Sequence, residues 1–124
     1  MNKRSSQLIA IVDDDRSVQL ALKDLLESAG LEARCFGSSE AFLESDQRDL
    51  ISCIVADIRM LGMSGLELQG KLNAEGSCIP FIFITAHGDA KVKMQAMKAG
   101  AVEFLSKPFD DEVLLETVRN ALKN

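Results

Sequence analysis

Five short apolar runs, each followed by a segment with helical spacing, constrain this chain more than any other feature. Residues 8–12, 51–56 and 81–84 are almost continuously apolar, the pattern of strands covered on both faces. Residues 31–36 and 102–105 are mixed, as expected of strands nearer a sheet edge or partly facing solvent. Between the first two runs Val18, Leu22, Leu25, Leu26 and Ala29 recur at helical intervals, and Gly30 follows as a terminator able to adopt positive φ. Ser38 or Ser39 can cap a short helix through Ala41, Phe42 and Leu43, and Ser64 with Glu67 forms a capping box for a helix reaching Asn73. After Gly88 a fourth helix carries Val92, Ala96 and Met97 and ends at Gly100; a fifth runs from Asp110 through Val113, Leu114, Val118, Ala121 and Leu122.

Strict alternation with short connections predicts an α/β fold: a parallel sheet with right-handed crossovers and helices on both faces. The length of 124 residues suits a single domain, which at this size buries about two thirds of its unfolded surface without disulfides or structural metals. Residues 1–6 read as an N-terminal tail and 7–123 as the domain. In such open sheets ligands collect beyond the carboxyl ends of the strands, near the point where strand order reverses. Functional residues are therefore sought at strand ends.

They occur there. Asp13, Asp14 and Asp15 directly follow the first run and Asp57 the third, while Thr85 follows the fourth and Lys107 lies just after the fifth. Carboxylates gathered on one rim repel, by about 4 kcal/mol for two unit charges ~4 Å apart at an effective dielectric near 20. A cation is needed. Mg2+ suits the set, because it is a hard ion that takes a few carboxylates, keeps several waters and leaves positions for phosphate oxygens. Lys107 supplies a second, mobile positive charge, and the Thr85 hydroxyl can donate a hydrogen bond to a phosphate oxygen. These residue types suit phosphoryl transfer to a carboxylate. Asp15 has a simpler reading, as the cap of the helix containing Val18.

Composition removes other function classes. Hydrophobic residues make up 47% and charged residues 27%, too apolar for a disordered chain. The net charge is −5 and no stripe of Lys and Arg could neutralise a run of phosphates, so direct nucleic-acid binding is not expected. The basic start, Met1-Asn2-Lys3-Arg4, is followed by an apolar run too short for a signal peptide and ended by three aspartates, which predicts a cytoplasmic protein without a membrane segment. Cys35, Cys53 and Cys78 are odd in number, lack metal-ligand spacing and are read as reduced, packed thiols.

Over nearly its whole length the chain resembles the receiver domain of bacterial two-component response regulators. The matching segments are Ile11-Val12-Asp13-Asp14-Asp15, Asp57-Ile58-Arg59-Met60 with Gly65, Ile84-Thr85-Ala86, and Lys107-Pro108-Phe109. The resemblance implies a single doubly wound (βα)5 domain of flavodoxin-like type, with a five-stranded parallel sheet in order 2-1-3-4-5. It implies that Asp13, Asp14, Asp57 and the backbone carbonyl of Arg59 hold Mg2+, that Asp57 accepts the phosphoryl group, and that Thr85 and Lys107 bind it. The donor is then a phosphohistidine on a sensor histidine kinase or phosphotransfer protein, and the receiver catalyses only its own phosphorylation and dephosphorylation. The same likeness implies a switch in which Thr85 moves toward the phosphoryl group and the Phe104 ring turns inward, and a cis Lys107–Pro108 peptide. Residues 97–105 are similar to receivers attached to transcription-regulating outputs; the chain is then expected to be either a stand-alone receiver or, the preferred reading, a fragment whose output domain lies outside it. Phosphorylation-dependent dimerisation is expected through the fourth helix, last strand and fifth helix.

Leu61 departs from the pattern, standing where the family usually has proline. Proline restricts φ, so Leu61 beside Gly62 predicts a looser loop without loss of any chemical group. Arg59 and His87 occupy rim positions suited to tuning how fast water reaches the acyl phosphate. Two rival readings are weaker. The Asp13-Asp14-Asp15-Arg16-Ser17 segment also resembles the nucleophile motif of haloacid-dehalogenase-type phosphatases, with Asp13 as nucleophile and Asp15 as general acid, but this leaves Asp57, Met60 and Gly65 unexplained. A nucleotide- or flavin-binding module lacks support because no glycine-rich phosphate loop follows the first strand.

Overall fold

A computed structural model of the chain describes residues 7–86 and 88–123. Five strands alternate with five helices: β1 (Leu8–Val12), α1 (Arg16–Ser28), β2 (Glu32–Phe36), α2 (Ser39–Glu44), β3 (Ile51–Ala56), α3 (Gly65–Ala74), β4 (Phe81–Thr85), α4 (Ala90–Lys98), β5 (Glu103–Ser106) and α5 (Asp111–Lys123). A 3-10 turn, Arg48–Leu50, precedes β3 and was not indicated by the apolar pattern. The strands form one parallel sheet in the order β2-β1-β3-β4-β5. The mixed runs, β2 and β5, are the two edges, and the continuous runs lie inside.

The pleat divides the core into two layers. Leu8, Ala10 and Val12 of β1 face Phe42 of α2, Leu68 and Leu72 of α3 and Ala96 of α4. Ile9 and Ile11 face the other way, toward Leu22 and Leu26 of α1 and Leu114, Val118 and Ala121 of α5. This is why the inner strands read as unbroken apolar runs: both sets of side chains leave water, each large one contributing about 1.5–3 kcal/mol. Ile54, fully buried in β3, is a sensitive position, since truncation to alanine would open a cavity at a cost of about 2–5 kcal/mol.

Local signals set the ends of the elements. Asp15 caps α1, its Oδ1 accepting from the Ser17 and Val18 backbone N–H groups. Ser38 caps α2, and Ser64 with Glu67 closes both halves of a capping box on α3. Gly30 takes φ +84° after α1, in the left-handed region that favours glycine. One expectation needs correcting: Cys53 is buried and Cys35 half-buried, but Cys78 is exposed in the loop before β4, beyond the reach of the core. Among the described residues no helix is long and apolar enough to cross a membrane.

Candidate functional site

Strand order reverses between β1 and β3, and the carboxyl ends of these neighbours carry the acids. Asp13 and Asp57 are the first residues past β1 and β3, and both are buried. Backbone bonds continue the ladder beyond each strand. The Asp57 N–H donates to the Val12 carbonyl at 3.0 Å, and the Asp13 N–H to the Phe36 carbonyl at 3.1 Å. On the far side, Lys107 follows β5 directly, and its N–H donates to the Thr85 carbonyl at 3.0 Å. The Lys107–Pro108 peptide is cis.

The Lys107 ammonium joins the two acids. Its Nζ donates to Asp13 Oδ2 and to Asp57 Oδ2, each at 2.9 Å. Burial alone lowers the lysine pKa, but the hydrogen bonds and charges of Asp57 and Asp13 outweigh it, and the net shift is upward. The Asp13 pKa is raised from its ordinary value, because desolvation exceeds the lowering effect of the Asp15 N–H and of Lys107. Two carboxylates thus share one cation and retain excess negative charge.

Each acid is further held by the backbone. Asp13 Oδ1 accepts the Asp15 N–H at 2.9 Å, and Asp57 Oδ1 accepts the Ile58 N–H at 2.6 Å. Gly65 packs so closely under Asp57 that a Cβ there would overlap the Asp57 carbonyl oxygen, while its own N–H donates to the Ile58 carbonyl at 2.8 Å. Glycine is required by this approach.

Not every residue singled out from the sequence converges. Asp14 is exposed, and its Oδ2 accepts the Leu61 N–H from the loop after β3 at 3.2 Å. Arg59 is exposed on the same loop. Thr85 is buried at the end of β4, and Ala86 beside it is exposed. Phe104 is buried in β5, with its ring 6.1 Å from that of Phe83 and tucked against Gly88. His87 lies outside the described residues. Two contributors escaped the sequence reading. Gln19, buried on α1, donates from Nε2 to the Asp13 carbonyl at 2.6 Å, and Glu40 of α2 accepts the Met63 N–H at 3.0 Å. A buried polar residue inside the apolar stripe of α1 was a readable signal for Gln19; Glu40 left none.

Among the described residues no three His, Cys, Asp or Glu side chains converge as a metal-holding group. The donors near Asp57 nevertheless fit a hard divalent ion. Asp13 and Asp57 offer only oxygen donors across a single ammonium, and such an ion needs few protein ligands when water completes its shell.

The family model described as "Response regulator receiver domain" matches residues 9–119. Response regulator protein TmoT of Ectopseudomonas mendocina is 47% identical over 123 residues, spanning 99% of this chain and 56% of that protein. Transcriptional regulatory protein FixJ of Azorhizobium caulinodans is 45% identical over 114 residues, 92% of this chain and 54% of that one. The chain therefore spans little more than half the length of these relatives. Among solved structures, that of FixJ-N superposes with a TM-score of 0.87 at 38% identity, covering 98% of this chain and 97% of that one. None of these matches supports the phosphatase reading.

Proposed function

Because this chain belongs to the response regulator receiver family, we propose that Asp57 accepts a phosphoryl group from a phosphohistidine on a sensor histidine kinase or phosphotransfer protein. The observation that carries this reading is the Lys107 ammonium, held 2.9 Å from both Asp57 and Asp13 at the reversal point of the sheet. A carboxylate oxygen of Asp57 attacks phosphorus, and the bond from phosphorus to the donor breaks with its electron pair leaving on the donor. Asp13, Asp14, Asp57 and the Arg59 carbonyl would hold Mg2+. When bound, the ion neutralises charge on the transferring group. Lys107 has the stem length and charge to follow a phosphoryl oxygen, and the Thr85 hydroxyl can donate to another. Exposed Ala86 leaves the approach to the rim uncluttered. Hydrolysis returns the site when water attacks phosphorus and Asp57 leaves; Arg59 and His87 are assigned to tuning that rate, which comparison of His87→Ala with the parent checks.

The chain is thus a signalling domain whose catalysis is confined to its own phosphorylation and dephosphorylation. Its readout is assigned to Thr85 and Phe104, supported by the close approach of the Phe104 ring to Gly88. Transcription is the proposed output, on the strength of the relative named as a transcriptional regulatory protein, and the cytoplasm its location. A phosphorylation-dependent dimer through α4, β5 and α5 is supported by exposed Met94, Met97, Val102 and Val113 in that part of the chain; sedimentation with and without phosphodonor tests it.

The central experiment incubates the protein with Mg2+ and acetyl phosphate, traps the acyl phosphate and maps it. Label on Asp57, absent in Asp57→Asn, is expected. Label on Asp13 with none on Asp57 would overturn the assignment.

A further inference from the structure

Leu61 retains something a proline lacks, a backbone N–H, and that group donates to Asp14 Oδ2 at 3.2 Å. Two residues on, the Met63 N–H donates to Glu40 Oε2 at 3.0 Å. Gly62 between them takes φ +80° and lies against the same Glu40 carboxylate, where any Cβ would collide. Residues 61–63 are thus strung between two carboxylates from different elements, one following β1 and one on α2. The residue expected to loosen this loop also supplies a tether that proline could not.

We propose that the Leu61 N–H is a positioning group that holds the Asp14 carboxylate toward the β3–α3 loop and competes with Mg2+ for it. This rests on the reading of Asp13, Asp14 and Asp57 as the magnesium ligands. Bonds from N–H to an ionised carboxylate are stronger than neutral ones, and this bond turns Asp14 toward the loop while Asp13 and Asp57 face Lys107. Bringing Asp14 to the ion costs that bond. The coupling is reciprocal: ion binding releases residue 61, while the Met63–Glu40 bond still holds residue 63.

The test is calorimetric titration of MgCl2 into the whole 124-residue chain, comparing Leu61→Pro, which removes the donor, with Leu61→Ala, which keeps it. Leu61→Pro is expected to bind about three- to tenfold more tightly than Leu61→Ala, the size of one modest hydrogen bond. In parallel, the Leu61 amide proton of the parent is followed by NMR; it should move upfield as Mg2+ is added, in the direction that Asp14→Ala moves it. Equal or weaker binding by Leu61→Pro, or a Leu61 amide unmoved at Mg2+ saturation, overturns the proposal. If the parent shows no Mg2+ binding that Asp57→Ala abolishes, the magnesium reading falls together with the competition. Binding by the parent with indistinguishable Leu61 variants removes only the competition.

Discussion

The Lys107 ammonium stands 2.9 Å from Asp57 Oδ2 although the two residues are 50 positions apart in the chain. Its side chain is only 17% exposed, and it also serves Asp13. Lys107→Ala would leave both acids without their shared cation, and a loss of about 2–3 kcal/mol in urea unfolding is expected, less than for a fully dry pair. Millimolar Mg2+ should restore part of it. The lysine contribution is complete below its ordinary pKa of 10.5 and is lost as pH climbs through the raised folded value. An unchanged unfolding free energy in Lys107→Ala would show that the ammonium is not neutralising these acids.

Gly65→Ala addresses the backbone beneath the acceptor. The added Cβ meets the Asp57 carbonyl oxygen and the Phe83 ring, neither of which has a flexible end to move. Destabilisation of at least ~2 kcal/mol is expected, together with a lower yield of acyl phosphate on Asp57. A variant with parental melting temperature and labelling would mean that the loop has slack there.

Gly88→Ala probes the ring of Phe104. A methyl group at position 88 would occupy the space of the ring edge and crowd the Thr85 methyl. The ring is expected to turn outward, at a cost of about 1–3 kcal/mol. NMR shifts of the Phe83 and Phe104 ring protons report this directly, and parental shifts in the variant would count against it.

Cys53 gives the fold an alkaline liability. Burial pushes its thiol up from 9.0 to about 12, so the folded protein holds the proton that the unfolded chain releases. Stability therefore declines between pH 9 and 12, with a slope on the order of 1.4 kcal/mol per pH unit from this group. Cys53→Ala should flatten that decline in urea titrations, despite a lower stability at neutral pH. At pH 8 a thiol-alkylating reagent should modify exposed Cys78 well before Cys53; peptide mapping that finds the reverse order would disprove the burial argument.

The inner strands were legible because burial on both faces makes them almost continuously apolar, and β1 and β3 end where their apolar runs do. β4 extends one residue further, because Thr85 pairs with Ser106 in the ladder to β5, a tertiary relation that a hydropathy pattern does not carry. Asp13, Asp57 and Lys107 could be grouped from their positions at strand ends. The outward turn of Asp14 could not, since it depends on a backbone donor 47 residues away. Glu40 escaped notice for the same reason, its partner being the Met63 N–H. Cys78 misled because it adjoins apolar Ile79 and Pro80, yet the segment approaching β4 runs over the surface.

The close contact of Gly65 with the Asp57 carbonyl oxygen pins the backbone from which the proposed acceptor projects. A main chain with no spare volume behind it cannot recoil if, as proposed, a bulky dianion is attached to its side chain. Displacement must pass to partners with slack: the long stem of Lys107 and the tethered residues 61–63. On the proposed reading Asp57 is the anvil, and the message is whatever its surroundings do when struck.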